Sequence, residues 1–267
     1  MSTITDFSES FLPLEKMEQL LPEAKKTYAQ AKPFPHIHFD EFFDNGAIER
    51  VLKEFPNEDD IDWIKYYDGH QKKLANEKEE NIGLFTRYLL YSLNSSLFLK
   101  FLEELTGISS LIADPSLRGG GLHNIYRGGK LGVHADFNKH EQYGFDRRLN
   151  LLLYLNKDWQ EKYGGHIELW GRDMKNCVRS YLPVFNRVVI FTTTDFSFHG
   201  HPEPLSCPEY MTRKSVALYY YTNGRPEEEE SGYHTTSFKL RPGEEIESKL
   251  TLKTMKILRR WPKLFGK

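Results

Sequence analysis

Apolar residues fall at helical spacing over the first hundred positions and at strand spacing after them. Leu14, Met17, Leu20 and Leu21 stand three and four residues apart and predict a helix over 12–32. PFPHIHFDEFF reads as a short strand entering a turn, and a second helix fits 46–55, ending before Pro56. Residues 57–81 are polar and charged (NEDDIDW, then GHQKKLANEKEEN) and are expected to form a surface excursion. Helical periodicity returns over 82–106. Phe85, Tyr88, Leu89 and Leu93 make one apolar face and Phe98, Leu99, Leu102 and Leu105 a second. Asn94 and the two serines after it predict a break between the two, and Gly107 stands where a left-handed C-cap would close the second.

From about residue 120 the pattern changes. LHNIY, RLNLLLYL, HIELW, VVIF and SVALYYY are short runs rich in β-branched, aromatic and leucine side chains, separated by Gly, Pro, Asn and Asp. Helices first and strands later predict an α+β domain with helices packed on an antiparallel sheet pair. The segment from Glu245 to Lys267 is expected to be a basic helix. Its Ile257, Leu258 and Trp261 would pack on the domain, and contact with a membrane surface or an acidic partner is the alternative. The boundaries that follow are 1–110 for an N-terminal helical region, 111–225 for the core and 226–267 for a C-terminal extension, all within one structural domain.

Composition narrows the function. A net charge of -2 gives no global field for nucleic acid or an anionic membrane. Two cysteines, Cys177 and Cys207, are too few for a disulfide framework or a thiolate zinc site. A reducing, cytoplasmic setting is expected. The N-terminus has no basic segment followed by an apolar run, and no stretch of about 18 apolar residues could span a bilayer.

The candidate chemistry begins at His134-Ala135-Asp136. In a strand, residues i and i+2 face the same side, so both side chains can reach one metal ion. Two histidines and a carboxylate on one face of an ion leave positions open for a co-substrate and dioxygen, the arrangement of non-haem iron(II) oxygenases. The third ligand is His199 or His201, two residues apart on one strand face. Arg213 follows across HPEPLSCPEYMT, at the start of SVALYYY. Neighbouring antiparallel strands would bring His199 and Arg213 to one pocket. A buried guanidinium needs an anion, and its planar fork suits a carboxylate. 2-Oxoglutarate offers a keto-acid end for iron and a distal carboxylate for Arg213.

YRGGKLG, HAD, YLNKDW, GGHIELW, FHGHPEPL and TRKSVALYYY, in that order over 122–222, resemble the catalytic domain of the prolyl-hydroxylase branch of the 2-oxoglutarate and iron(II) oxygenases. The resemblance implies a double-stranded β-helix, a jelly-roll barrel flanked by the N-terminal helices. It implies His134, Asp136 and His199 as iron ligands, choosing His199 over His201. Arg213 and Tyr154 become the partners of the distal 2-oxoglutarate carboxylate. Asn150 and Leu152 would share the Tyr154 face, and Tyr126 matches a tyrosine near the co-substrate. The family's second aromatic before the metal motif is replaced here by Leu131 and Gly132. The implied activity is dioxygen-dependent hydroxylation of an unactivated C–H bond with release of succinate and carbon dioxide, and with ascorbate as reductant. The implied substrate is a peptidyl or protein residue, proline first. A free amino acid or other metabolite is the alternative, and a non-catalytic jelly-roll binding module the reading from a different class.

Outside this set, His201 is expected beside the site and His140 on a loop that could face substrate. His36 and His38 lack a third ligand and read as structural. Tyr219, Tyr220 and Tyr221 read as core strand, Gly164-Gly165 as a turn, and Glu227 to Glu230 as a solvated acidic run.

Overall fold

A computed structural model describes residues 11–229 and 231–244. The predicted basic helix of 245–267 lies outside the described residues. Four α-helices are described: α1 (Leu14–Gln30), α2 (Asn45–Lys53), α3 (Leu84–Leu93) and α4 (Ser96–Thr106). Their ends follow local chemistry. Asp44 accepts a hydrogen bond from the Ala47 amide and starts α2. Ser95 accepts one from the Phe98 amide and separates α3 from α4. Gly107, at φ 76°, closes α4 in the left-handed region.

The strands are β1 (His36–Phe39), β2 (Ile64–Tyr67), β3 (Gln71–Asn76), β4 (Ile112–Ala113), β5 (Gly121–Ile125), β6 (Lys130–Ala135), β7 (Asp146–Tyr154), β8 (Ile167–Trp170), β9 (Cys177–Tyr181), β10 (Val188–Thr192), β11 (His199–His201), β12 (Arg213–Thr222) and β13 (Ser237–Phe238). They form one curled antiparallel sheet in the order β1-β10-β7-β12-β5-β3-β6-β11-β8-β9, with β2 on β3, β4 on β12 and β13 on β6. The curl makes a half-barrel of the double-stranded β-helix kind, flanked by the helices.

The near-continuous apolar runs of β7, β10 and β12 result from burial on both faces. Leu149, Leu151, Leu153, Val188, Ile190, Val216 and Leu218 join Leu89, Leu93, Phe98 and Leu102 in the core beneath the helices. The alternate residues Asn150, Leu152, Arg213, Ser215 and Tyr219 line a cavity on the concave side. Helix packing therefore holds one face of these strands, and the other face carries the polar groups of the site.

Two expectations are corrected. The polar stretch 57–81 contains the hairpin β2–β3, and β3 pairs with both β5 and β6 near the middle of the sheet. Its pattern reads as surface because one face of β3 lines a polar cavity instead of core. Asp68 sets the hairpin turn by accepting from the His70 and Gln71 amides. The acidic run is not wholly solvated either, since Glu229 pairs at 3.1 Å with the buried Arg148. Among the described residues no helix is long and apolar enough to cross a membrane.

Candidate metal and co-substrate site

β6 carries His134 to its C-terminal end, and β11 lies beside it in register, His199 opposite His134. The two imidazoles are 4.4 Å apart between centroids. Each Nδ1 is 2.8 Å from a backbone carbonyl, Gly132 for His134 and Ser197 for His199. A carbonyl can only accept, so each Nδ1 carries the proton and each Nε2 presents a lone pair. Both Nε2 atoms point at Asp136, at 3.5 Å for His134 and 3.4 Å for His199. Ligand atoms of the three residues lie within 4.8 Å of one another. Burial lowers the His199 pKa to about 4 and keeps the ring neutral, as a metal ligand must be.

Asp136 is held by two neighbours. Asn150 Nδ2 donates to its Oδ2 at 2.7 Å, and Arg147 Nη2 lies 3.1 Å from the same oxygen. Arg147 also donates to Asn150 Oδ1 and stacks 3.4 Å over the Tyr219 ring, with Phe137 at 4.4 Å. Burial works against the Asp136 charge, yet the Arg147 guanidinium beside it holds its carboxyl well below the usual carboxylate range. An ionised carboxylate and two imidazoles whose Nε2 atoms face it are a donor set suited to a divalent first-row metal with open positions.

Arg213 opens β12 on the same cavity and is buried. Its Nε donates to the Gly165 carbonyl at 2.8 Å and its Nη2 to the Tyr154 hydroxyl at 3.2 Å. No carboxylate among the described residues pairs with it. Burial pushes the Tyr154 hydroxyl above its ordinary range, so it stays protonated and able to donate to an anion. Gly165 has φ 76°, and a Cβ there would meet Leu205 Cδ2 at 2.7 Å and Arg213 Cδ at 3.0 Å. Gly165→Ala is accordingly expected to lower stability by more than about 1 kcal/mol and to weaken 2-oxoglutarate binding while metal content stays at wild-type level. Calorimetric titration beside metal analysis checks this, and an unaltered affinity would show that Gly165 does not set the guanidinium.

The structure thus brings His134, Asp136, His199, Asn150, Leu152 and Arg213 to one cavity of about 400 Å³. Tyr154 reaches it through Arg213. Asn150 sits on Asp136, at the metal end. Three expectations change. Tyr126 does not line the cavity: it continues the β5 face of Leu122 and Asn124 and packs against the helix-side core. His199 and Arg213 are not on neighbouring strands. β5, β3 and β6 lie between β12 and β11, and the curl of the sheet makes them face each other. His140 is a loop brace, accepting from the Gln142 and Tyr143 amides, 3.7 Å from Asp114 and stacked on Tyr143. His201 lines the cavity with both ring nitrogens unpartnered, whereas His36 and His38 sit on β1 against Tyr181. Sequence reasoning missed Arg147, Lys73 and His123, all on the cavity wall.

Residues 120–221 match the model of the 2OG-Fe(II) oxygenase superfamily. Among curated relatives, a prolyl 3,4-dihydroxylase of Ostreococcus tauri is 26% identical over 229 residues, covering 78% of this chain and 41% of that protein. A prolyl 3-hydroxylase of Mus musculus is 34% identical over 79 residues, covering 28% of this chain and 14% of that one. The chain therefore spans less than half the length of these relatives. Among solved structures, a Trichoplax adhaerens prolyl hydroxylase bound to a hypoxia-inducible-factor peptide superposes with TM-score 0.55 at 16% identity, over 80% of this chain and 94% of that one. A prolyl 4-hydroxylase of Phytophthora capsici gives 0.54 at 20% identity, over 80% and 68%. The fold of the chain is the one shared by these two prolyl hydroxylases. The likeness to the 2-oxoglutarate and iron(II) oxygenase superfamily lies in residues 120–221, the part of the chain that carries the site residues from His134 to Arg213.

Proposed function

We propose that this chain is an iron(II)- and 2-oxoglutarate-dependent dioxygenase that hydroxylates an unactivated C–H bond and releases succinate and carbon dioxide. The observation that carries the reading is the pairing of two sites in one cavity: three ligand atoms within 4.8 Å, and the buried Arg213 with no acid partner. His134, Asp136 and His199 would hold the metal. Arg213 and Tyr154 would hold the distal carboxylate of 2-oxoglutarate. When bound, iron with 2-oxoglutarate and dioxygen supplies the oxidation that breaks the C–H bond. The chain's own part is positional. Gly132 and Ser197 fix the imidazole tautomers, Asn150 and Arg147 aim the carboxylate, and Phe191 and Phe238 pack against His199 and His134. No general base is required.

A peptidyl substrate, proline first, is the finer reading. It is supported by the prolyl hydroxylation for which the similar Ostreococcus and Mus proteins are named and by the peptide bound to the Trichoplax enzyme. Purified protein with iron(II) and 2-oxoglutarate should form succinate slowly without substrate. Mass spectrometry should find a one-oxygen gain in a peptide mixture and not in a metabolite extract. Gain only among metabolites would replace the peptide reading. Neither turnover nor calorimetric binding of 2-oxoglutarate would leave a binding module.

A further inference from the structure

The charges on the cavity wall are almost all matched. Arg118 pairs with Glu77 and with Glu141, Lys139 pairs with Asp146, and Arg147 pairs with Asp136. Two cations on that wall, Arg213 and Lys73, have no acid partner among the described residues. Lys73 projects from β3 where that strand leaves β6 and joins β5. The contact described for its amine is the Tyr66 ring face, 5.0 Å away. Beside it on β5, His123 is 9% exposed, lines the same cavity and leaves Nε2 without a partner. Lys73 is the charged group that bears most on His123.

The co-substrate cannot use both cations. 2-Oxoglutarate has two carboxylates, one taken by the metal and one by Arg213. The formal charges do not cancel even then: a divalent metal, Arg147 and Arg213 outweigh Asp136 and the two carboxylates by one positive charge, and Lys73 adds another. Lys73 is left with nothing to balance it. Burial pushes its amine down to about 8, which shows the cost of leaving that cation uncompensated.

Resting on the oxygenase reading above, we infer that Lys73, with His123 beside it, is the specificity-determining subsite for the substrate, and that the substrate carries a carboxylate close to the C–H bond that is hydroxylated. The carboxylate pairs with the Lys73 ammonium. His123 Nε2 accepts a hydrogen bond from an N–H or O–H of the same molecule. An acidic side chain neighbouring the target residue in a peptide and the α-carboxylate of a free amino acid both supply this chemistry.

The test is ligand-observed NMR on the protein loaded with zinc(II) and 2-oxoglutarate, so that nothing turns over. The probes are N-acetylated proline, aspartate and glutamate against their primary amides, and acetyl-Pro-Asp-amide against acetyl-Pro-Asn-amide. Carboxylate probes should bind at least tenfold more tightly than their amides. The dipeptide pair reports a side-chain acid and the single residues an α-carboxylate. Lys73→Met should erase the preference, Lys73→Arg should restore most of it, and the 2-oxoglutarate Kd should stay within twofold in both. Equal binding of acids and amides, or binding by no carboxylate probe, overturns the inference. So does a Lys73→Met protein that loses 2-oxoglutarate instead, which would give Lys73 to the co-substrate. A wild-type protein that binds no 2-oxoglutarate fails at an earlier step and refutes the oxygenase reading itself.

Discussion

Asp136→Ala is expected to lose iron(II) binding entirely and to lower the stability of the fold by about 3–5 kcal/mol as well. Both effects have one origin. The carboxylate contributes a ligand on one side and the counter-charge of Arg147 on the other. Arg147 is buried, stacked on Tyr219, and has no other acid partner among the described residues. Removing Asp136 therefore strands a guanidinium as well as opening the metal site. Asp136→Asn separates the two contributions. The amide keeps the volume and can still accept from Arg147 but carries no counter-charge, so only part of the stability should return, and metal affinity should not. Metal content after dialysis and denaturant unfolding measure the two independently. An alanine variant that retains stoichiometric iron would remove Asp136 from the ligand set.

Arg213→Lys is expected to raise the 2-oxoglutarate Kd roughly 10- to 150-fold, from about 1.5–3 kcal/mol for a lost hydrogen bond to a charged group, with no change in metal content. The guanidinium is oriented by Gly165 through Nε and by Tyr154 through Nη2. A lysine keeps the charge but not the fork, so it cannot hold the Gly165 carbonyl and meet a carboxylate in the same plane. Calorimetry with the iron replaced by a redox-inert divalent ion reads the change directly. An unchanged Kd would take Arg213 out of its role.

Much of this site is legible in the sequence because it lies on regular strands. His134 and Asp136 follow from i, i+2 geometry, and Asn150 and Leu152 follow from the β7 alternation that sends Leu149, Leu151 and Leu153 to the core. Arg147 is hidden by a break in that rule. Counting by twos from Asn150 selects Arg148, but the register shifts opposite Tyr220 and Tyr221, where β7 bulges against β12 with Arg148 as the extra residue. Arg147 is thereby turned into the cavity, and Arg148 meets Glu229. Lys73 is hidden for the opposite reason. A strand that lines a polar cavity carries polar residues and reads as exposed, although β3 is among the inner strands of the sheet. Tyr126 shows how far a resemblance extends: it fixes a position along the chain, whereas the pleat decides which side the ring takes.

The order of the strands also governs when a metal could first be held. β6, which bears His134, pairs with β3 about sixty residues before it and with β11 about sixty-five after it. The ligand set is therefore absent from any partly synthesised chain that stops short of β11. Such a chain lacks β12 too, and with it the strand that joins β7 to β5. Metal binding in this topology is a reward of completed folding and not a nucleus for it. Iron should raise equilibrium stability by mass action and slow unfolding, while leaving the rate of folding almost unchanged.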